Sequence, residues 1–169
     1  MDNLRSSLLL IAIALSSNIV TLSSSLAAEV TFRCAIRDGV PTTIAQTPQG
    51  EAPVVFWNSP DIAIAPNTTQ QAECETGSQR FQIYHDNGAL NYITTGRTQG
   101  QLVACVTEYV GGGCRGTLFA LQTTRSPRTA LQRILRIRLP TEGPISHTGP
   151  RAYVDLMRYL GGEYNTAGY

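Results

Sequence analysis

Three observations predict an α+β fold with a largely antiparallel sheet, two or three helices and two disulfides. Short runs of β-branched and aromatic residues, several closed by turn pairs such as Asp38-Gly39 or Gln99-Gly100, fall into two groups. A helical segment with a capping hydroxyl residue follows each group. Four cysteines, Cys34, Cys74, Cys105 and Cys114, stand in a chain whose opening residues read as a secretory leader. Strands, then a helix, then strands, then a helix is the order of an α+β domain, because hairpin-joined strands pair antiparallel and the helices cover them.

The leader comprises residues 1–27. Arg5 gives the positive flank, Leu8 to Leu15 the apolar run and Ser25-Leu26-Ala27 the small-residue cleavage site. An uncleaved anchor fits less well, since Ser16, Ser17, Asn18, Thr21 and Ser23 to Ser25 interrupt the run short of the ~20 apolar residues a span needs. Cys34 lies too far on for a lipoprotein anchor. What remains is enough for one domain, residues 28–162, with a glycine-containing flexible tail at 163–169.

Val30 to Ile36 alternates and forms the first strand, Thr42 to Gln46 the second, and Val54 to Trp57 the third, closed by Asn58-Ser59-Pro60. Thr68 or Thr69 caps a first helix that puts Ala72, Phe81 and Tyr84 on one face and stops before Asn87-Gly88, with Gly77 and Ser78 weakening its middle. Leu90 to Thr95, Leu102 to Tyr109 and Thr117 to Gln122 make a three-strand meander. Ser126 caps a second helix with Pro127 at its first position. Ala130, Leu131, Ile134, Leu135 and Ile137 form its apolar side, and Arg128, Gln132, Arg133 and Arg136 the other. Leu135 to Leu139 also alternates, so the end of this segment is open to an extended reading. Tyr153 to Leu160 is a last apolar element, strand or helix.

An even cysteine count in an exported chain reads as two disulfides. Cys105 and Cys114 flank a short segment ending in three glycines, which suits a local bridge, and Cys34 with Cys74 follows by elimination. Zinc is not expected, because no C-x-x-C pair occurs. The thirteen basic residues, all arginine, nearly balance twelve acids, so nucleic acid is not an expected partner.

Gly111 to Gly116 formally matches G-x-G-x-x-G, yet a dinucleotide site needs that motif between a strand and a helix, and Thr117 to Gln122 is strand-like. No cofactor or nucleotide is expected. His85, beside Asp86 at a helix end, and His147 are the only histidines, and no G-x-S-x-G elbow occurs, so no catalytic residue is assigned. Glu73, Glu75, Glu108 and Asp155 could supply a carboxylate pair for a hydrolase. Trp57, Phe56 and Tyr92 could form a carbohydrate platform, but their place inside strands favours core packing. Asn67-Thr68-Thr69 is a glycosylation sequon, expected to stay unmodified in a bacterial setting. Arg128, Arg133 and Arg136 are the candidate docking surface, for anionic lipid headgroups or an acidic partner, set against an ordinary solvated helix face.

Phe32-x-Cys34, Gly39-Val40-Pro41-Thr42-Thr43, Arg80-Phe81, Asn87-Gly88-x-Leu90-Asn91-Tyr92, Thr95-Gly96-Arg97, Val103-x-Cys105 and Gly111-Gly112-Gly113-Cys114-x-Gly116-x-Leu118-Phe119 together fill most of residues 28–162. In that combination the chain resembles the circadian oscillating protein family of cyanobacteria, small exported single-domain proteins. The resemblance implies a shared framework and, for some members, association with membranes. It carries over no activity and no catalytic residues. The expectation is an exported, non-catalytic binding or interaction module of the periplasm or thylakoid lumen, peripheral to the membrane if attached at all, with an envelope protein or an anionic membrane surface as partner. The alternative is an envelope hydrolase using carboxylates.

Overall fold

The computed structural model describes residues 30–122, 126–137 and 151–162. The leader, His147 and the tail at 163–169 lie outside the described residues.

Strands β1 (Thr31–Arg37), β2 (Val40–Thr47) and β3 (Gly50–Phe56) form an antiparallel sheet in that order. The β1–β2 turn shows why Asp38-Gly39 stands there: both residues have positive φ, 51° and 76°, the type I′ geometry whose twist matches that of the strands. Helix α1 (Gln70–Asp86) follows, with the Thr69 hydroxyl accepting from the Ala72 N–H. A second antiparallel sheet then forms from β4 (Tyr92–Thr98), β5 (Gln101–Thr107) and β6 (Gly116–Ala120), with the short β7 (Val154–Asp155) beside β4. Between β6 and β7 comes α2 (Pro127–Ile134), capped by Ser126 as its sequence dictates, and α3 (Leu156–Leu160) follows β7. The antiparallel pairing is thus divided between two sheets, and the last apolar element is strand and helix in turn.

Both sheets contain a bulge, and each bulge is tied to the other half of the chain. In β6 the register with β5 skips Leu118, whose carbonyl accepts from Arg80 Nη1 of α1 at 2.8 Å. In β3 the register with β2 skips Val54, and the carbonyl of the adjoining Pro53 accepts from the Tyr159 hydroxyl of α3. Pro53 is admissible because β3 is an edge strand. Asp61 to Ala63 then runs beside the end of β6, with Ala63 N–H donating to Ala120 and Gln122 N–H to Asp61. One hydrophobic cluster spans both sheets and all three helices, from Phe32 and Trp57 through Phe81, Phe119 and Leu131 to Tyr159.

The face of α1 that enters this core is Cys74, Gly77, Ser78 and Phe81, at helical spacing but with two of the four lacking an apolar side chain. Gly77 is required there: a Cβ would lie 2.3 Å from Cζ2 of the Trp57 indole. Ser78 completes a buried chain in which Trp57 Nε1–H donates to Thr43 Oγ1, itself 2.9 Å from Ser78 Oγ. The supposed weak middle of the helix is therefore its contact surface.

Candidate functional site

The carboxy end of α2 is an interrupted helix stop with an arginine where glycine is usual. Ile137 N–H donates to Gln132 O and Arg136 N–H to Arg133 O, the paired bonds of a Schellman motif, and Arg136 takes the left-handed position with φ 49°. An L-residue is disfavoured there by roughly 1–2 kcal/mol, so the position keeps Arg136 against its backbone preference. Its side chain is held in place. The guanidinium Cζ lies 3.7 Å from the centroid of the Phe56 ring, and Nη2 makes a long bond of 3.5 Å to Asn58 Oδ1.

One turn earlier, Arg133 leaves the solvated face that helix amphipathicity alone would give it and folds back onto Asp61, with Nε 3.5 Å from Oδ2. Asp61 is buried, its side chain 3% exposed, while Arg133 is 36% exposed. The loop Asn58-Ser59-Pro60 is shaped by bonds from Ser59 N–H to Phe56 O and from Ile62 N–H to Ser59 O. Asn58, Ser59, Pro60, Arg133 and Arg136 together line an open cleft of about 250 Å³. The predicted docking residues thus divide. Arg133 and Arg136 come together in the cleft, whereas Arg128 stands half-buried in the first turn of α2 and is not part of its lining.

Sequence reading missed Asn58, Ser59, Pro60 and Asp61 as site residues, and it considered Phe56 only for a carbohydrate platform or the core. Asn58-Ser59-Pro60 carries a signal, but a signal for the end of a strand, and nothing local pairs it with a helix that begins only at Pro127.

The remaining candidates have structural occupations. Both disulfides form with the expected pairing, Cys34 with Cys74 and Cys105 with Cys114. The glycine motif ends in β6, a strand, so it lacks the helix N-terminus a pyrophosphate needs. Its glycines serve close packing: a Cβ on Gly116 would meet the Tyr84 ring at 2.3 Å, and the Gly112 carbonyl accepts from the buried Tyr153 hydroxyl. Trp57 is fully buried against Phe119, so it is a core residue and no carbohydrate platform. His85 sits in the last turn of α1 beside Asp86, 3.4 Å away.

Of the four carboxylates, Glu108 and Asp155 share a groove of about 290 Å³ with Asn91, Tyr92 and Met157. Each already has work in the fold: Glu108 pairs with Arg115, and Asp155 caps α3 by accepting from Arg158 N–H. Glu73 and Glu75 stand on α1, whose main packing partners are β1, β2 and β6, away from that groove. Among the described residues there is no cluster of three or more metal-ligating side chains, and no helix long and apolar enough to cross a membrane.

These features define a small disulfide-bonded α+β domain with one core and a cationic surface cleft. The chain belongs to the family described as circadian oscillating protein COP23, whose sequence pattern matches residues 31–161. No curated protein and no solved structure matches it.

Proposed function

We propose that this chain is a non-catalytic interaction module working outside the cytoplasm, in the periplasm or thylakoid lumen or at the adjoining membrane surface, and that it docks an acidic envelope protein through the Arg133–Arg136 cleft. Two disulfides fit an oxidising compartment. The observation that carries the reading is the cleft itself, where two arginines from one helix end face a loop of the opposite sheet. A discrete protein group suits it better than a lipid surface. Membrane attraction draws on clusters of about 4–8 basic residues, whereas here the net charge is +1 and Arg33 and Arg115 are paired with Glu51 and Glu108.

Pull-down from an extracytoplasmic extract with the wild-type chain and an Arg133→Ala/Arg136→Ala variant tests the surface. Loss of a specific protein from the variant's eluate is expected, and unchanged recovery of every bound protein removes the cleft from consideration. The alternative, an envelope hydrolase, rests on the groove where Glu108 and Asp155 meet; the structural partners of both carboxylates favour docking over catalysis.

A further inference from the structure

The chemistry of the cleft lining selects its ligand. Asn58 uses Oδ1 to accept from Arg136, which leaves its amide N–H groups. Ser59 Oγ accepts from Asp61 N–H at 3.4 Å, which leaves its hydroxyl hydrogen. Pro60 has no N–H, and Arg133 engages Asp61 through Nε, which leaves the two Nη groups of its planar fork. Four of the five lining residues therefore offer donors, and the side-chain acceptors Asn58 Oδ1 and Ser59 Oγ are already engaged. Such a lining fits an oxyanion.

Charge narrows the choice. Asp61 sets a buried carboxylate against Arg133, which lowers the positive field of the cleft and suits a monoanionic carboxylate better than a dianionic phosphate or sulfate. The donors are also side chains. Capture of a chain terminus typically uses backbone N–H nests, whereas arginine clusters read acidic motifs. Finally, a residue kept at φ 49° against a glycine preference, and stacked on Phe56, is a pre-set fork that loses little freedom on binding.

We propose that the cleft is a receptor for one acidic side chain, an Asp or Glu carboxylate presented by an extended segment of the partner protein; the inference rests on the docking reading above and names its chemistry.

Three acetylated tripeptide amides and one tripeptide acid test it: Ala-Glu-Ala-amide, neutral Ala-Gln-Ala-amide, and Ala-Gly-Ala with amidated or free carboxy-terminus, with sulfate as the dianion. Arginine Nε–H resonances are followed by NMR at neutral pH and low salt. The Glu peptide is expected to shift Arg133 and Arg136 saturably, with a Kd of about millimolar, as one bidentate charge-assisted contact allows. The neutral peptides should give no saturable shift.

Arg136→Gly should weaken the Glu peptide about tenfold while melting within a few degrees of wild type, because glycine suits the left-handed position and replaces the lost stack with relief of backbone strain. Tighter binding of sulfate or of the free carboxy-terminus overturns the assignment to an acidic side chain, as does equal binding by the Gln peptide. Loss of the pull-down partner in the double variant together with no peptide binding overturns this inference alone. Unchanged pull-down together with specific Glu-peptide binding overturns the protein-docking reading instead.

Discussion

The two sheets of this domain are closed by disulfides of opposite kinds. In the amino-terminal half, Cys34 of β1 is joined to Cys74 of α1 across 40 residues, so the bridge pins a helix to a sheet. In the carboxy-terminal half, Cys105 of β5 reaches only to Cys114, 9 residues on, and secures the glycine turn that leads into β6. The first fixes an arrangement of elements and the second a local conformation. Neither half is thereby made self-sufficient, because the two bulges are answered crosswise. Arg80, on the helix of the first half, holds Leu118 of the second sheet, and Tyr159, on the last helix, holds Pro53 of the first. The comparison teaches that covalent closure here is regional while hydrogen bonding and core packing unite the whole.

Removing each bridge is the strongest test of that contrast. Replacing Cys34 and Cys74 together by alanine should cost about 4 kcal/mol, and Cys105 with Cys114 about 3 kcal/mol, as the loop lengths require in the chain-entropy model. Denaturant unfolding of both variants should remain a single transition. Two separated transitions in either would show the halves to be independent and break the crosswise account.

A smaller effect is expected at the bulges. Arg80→Met keeps the aliphatic bulk but leaves the Leu118 carbonyl without its donor, for a loss of about 1–3 kcal/mol; a midpoint equal to wild type would show that the cross-link contributes nothing. Tyr159→Phe should cost about 1 kcal/mol near neutral pH.

Its clearest effect appears in alkali. Burial pushes the Tyr159 phenol above its ordinary value of 10.0. Below about pH 10 the folded and unfolded chains both keep that proton, and the contribution is fully present. As pH rises further the unfolded chain releases it while the folded chain retains it, so stability falls. Denaturant midpoints at pH 8 and pH 11 should therefore converge for wild type and Tyr159→Phe, and an equal alkaline loss in both would contradict the burial account.

Legibility followed the range of the cause. The two hairpin turns, both hydroxyl caps and the apolar side of α2 are short-range matters of φ preference and periodicity, and each is readable from the residues concerned. Gly77 and Ser78 show where such reading stops: by local propensity they weaken a helix, yet they exist to admit Trp57 and to bond Thr43. Arg133 and Arg136 were recognisable as a basic pair on one helix. That the first would turn to a buried Asp61 and the second would lie over Phe56 depends on residues at the end of β3, which no periodicity connects to α2.

The sequence by itself determined the order of the elements up to α2, the hydroxyl caps and the polar and apolar sides of α2, because turn chemistry, capping and hydrophobic spacing act over a few residues. Only the tertiary structure decided that there are two sheets, that their bulges are stitched crosswise, and that two arginines and a strand-ending loop form one donor-lined cleft. Those outcomes depend on which surfaces meet when a common core closes, and that meeting has no local code.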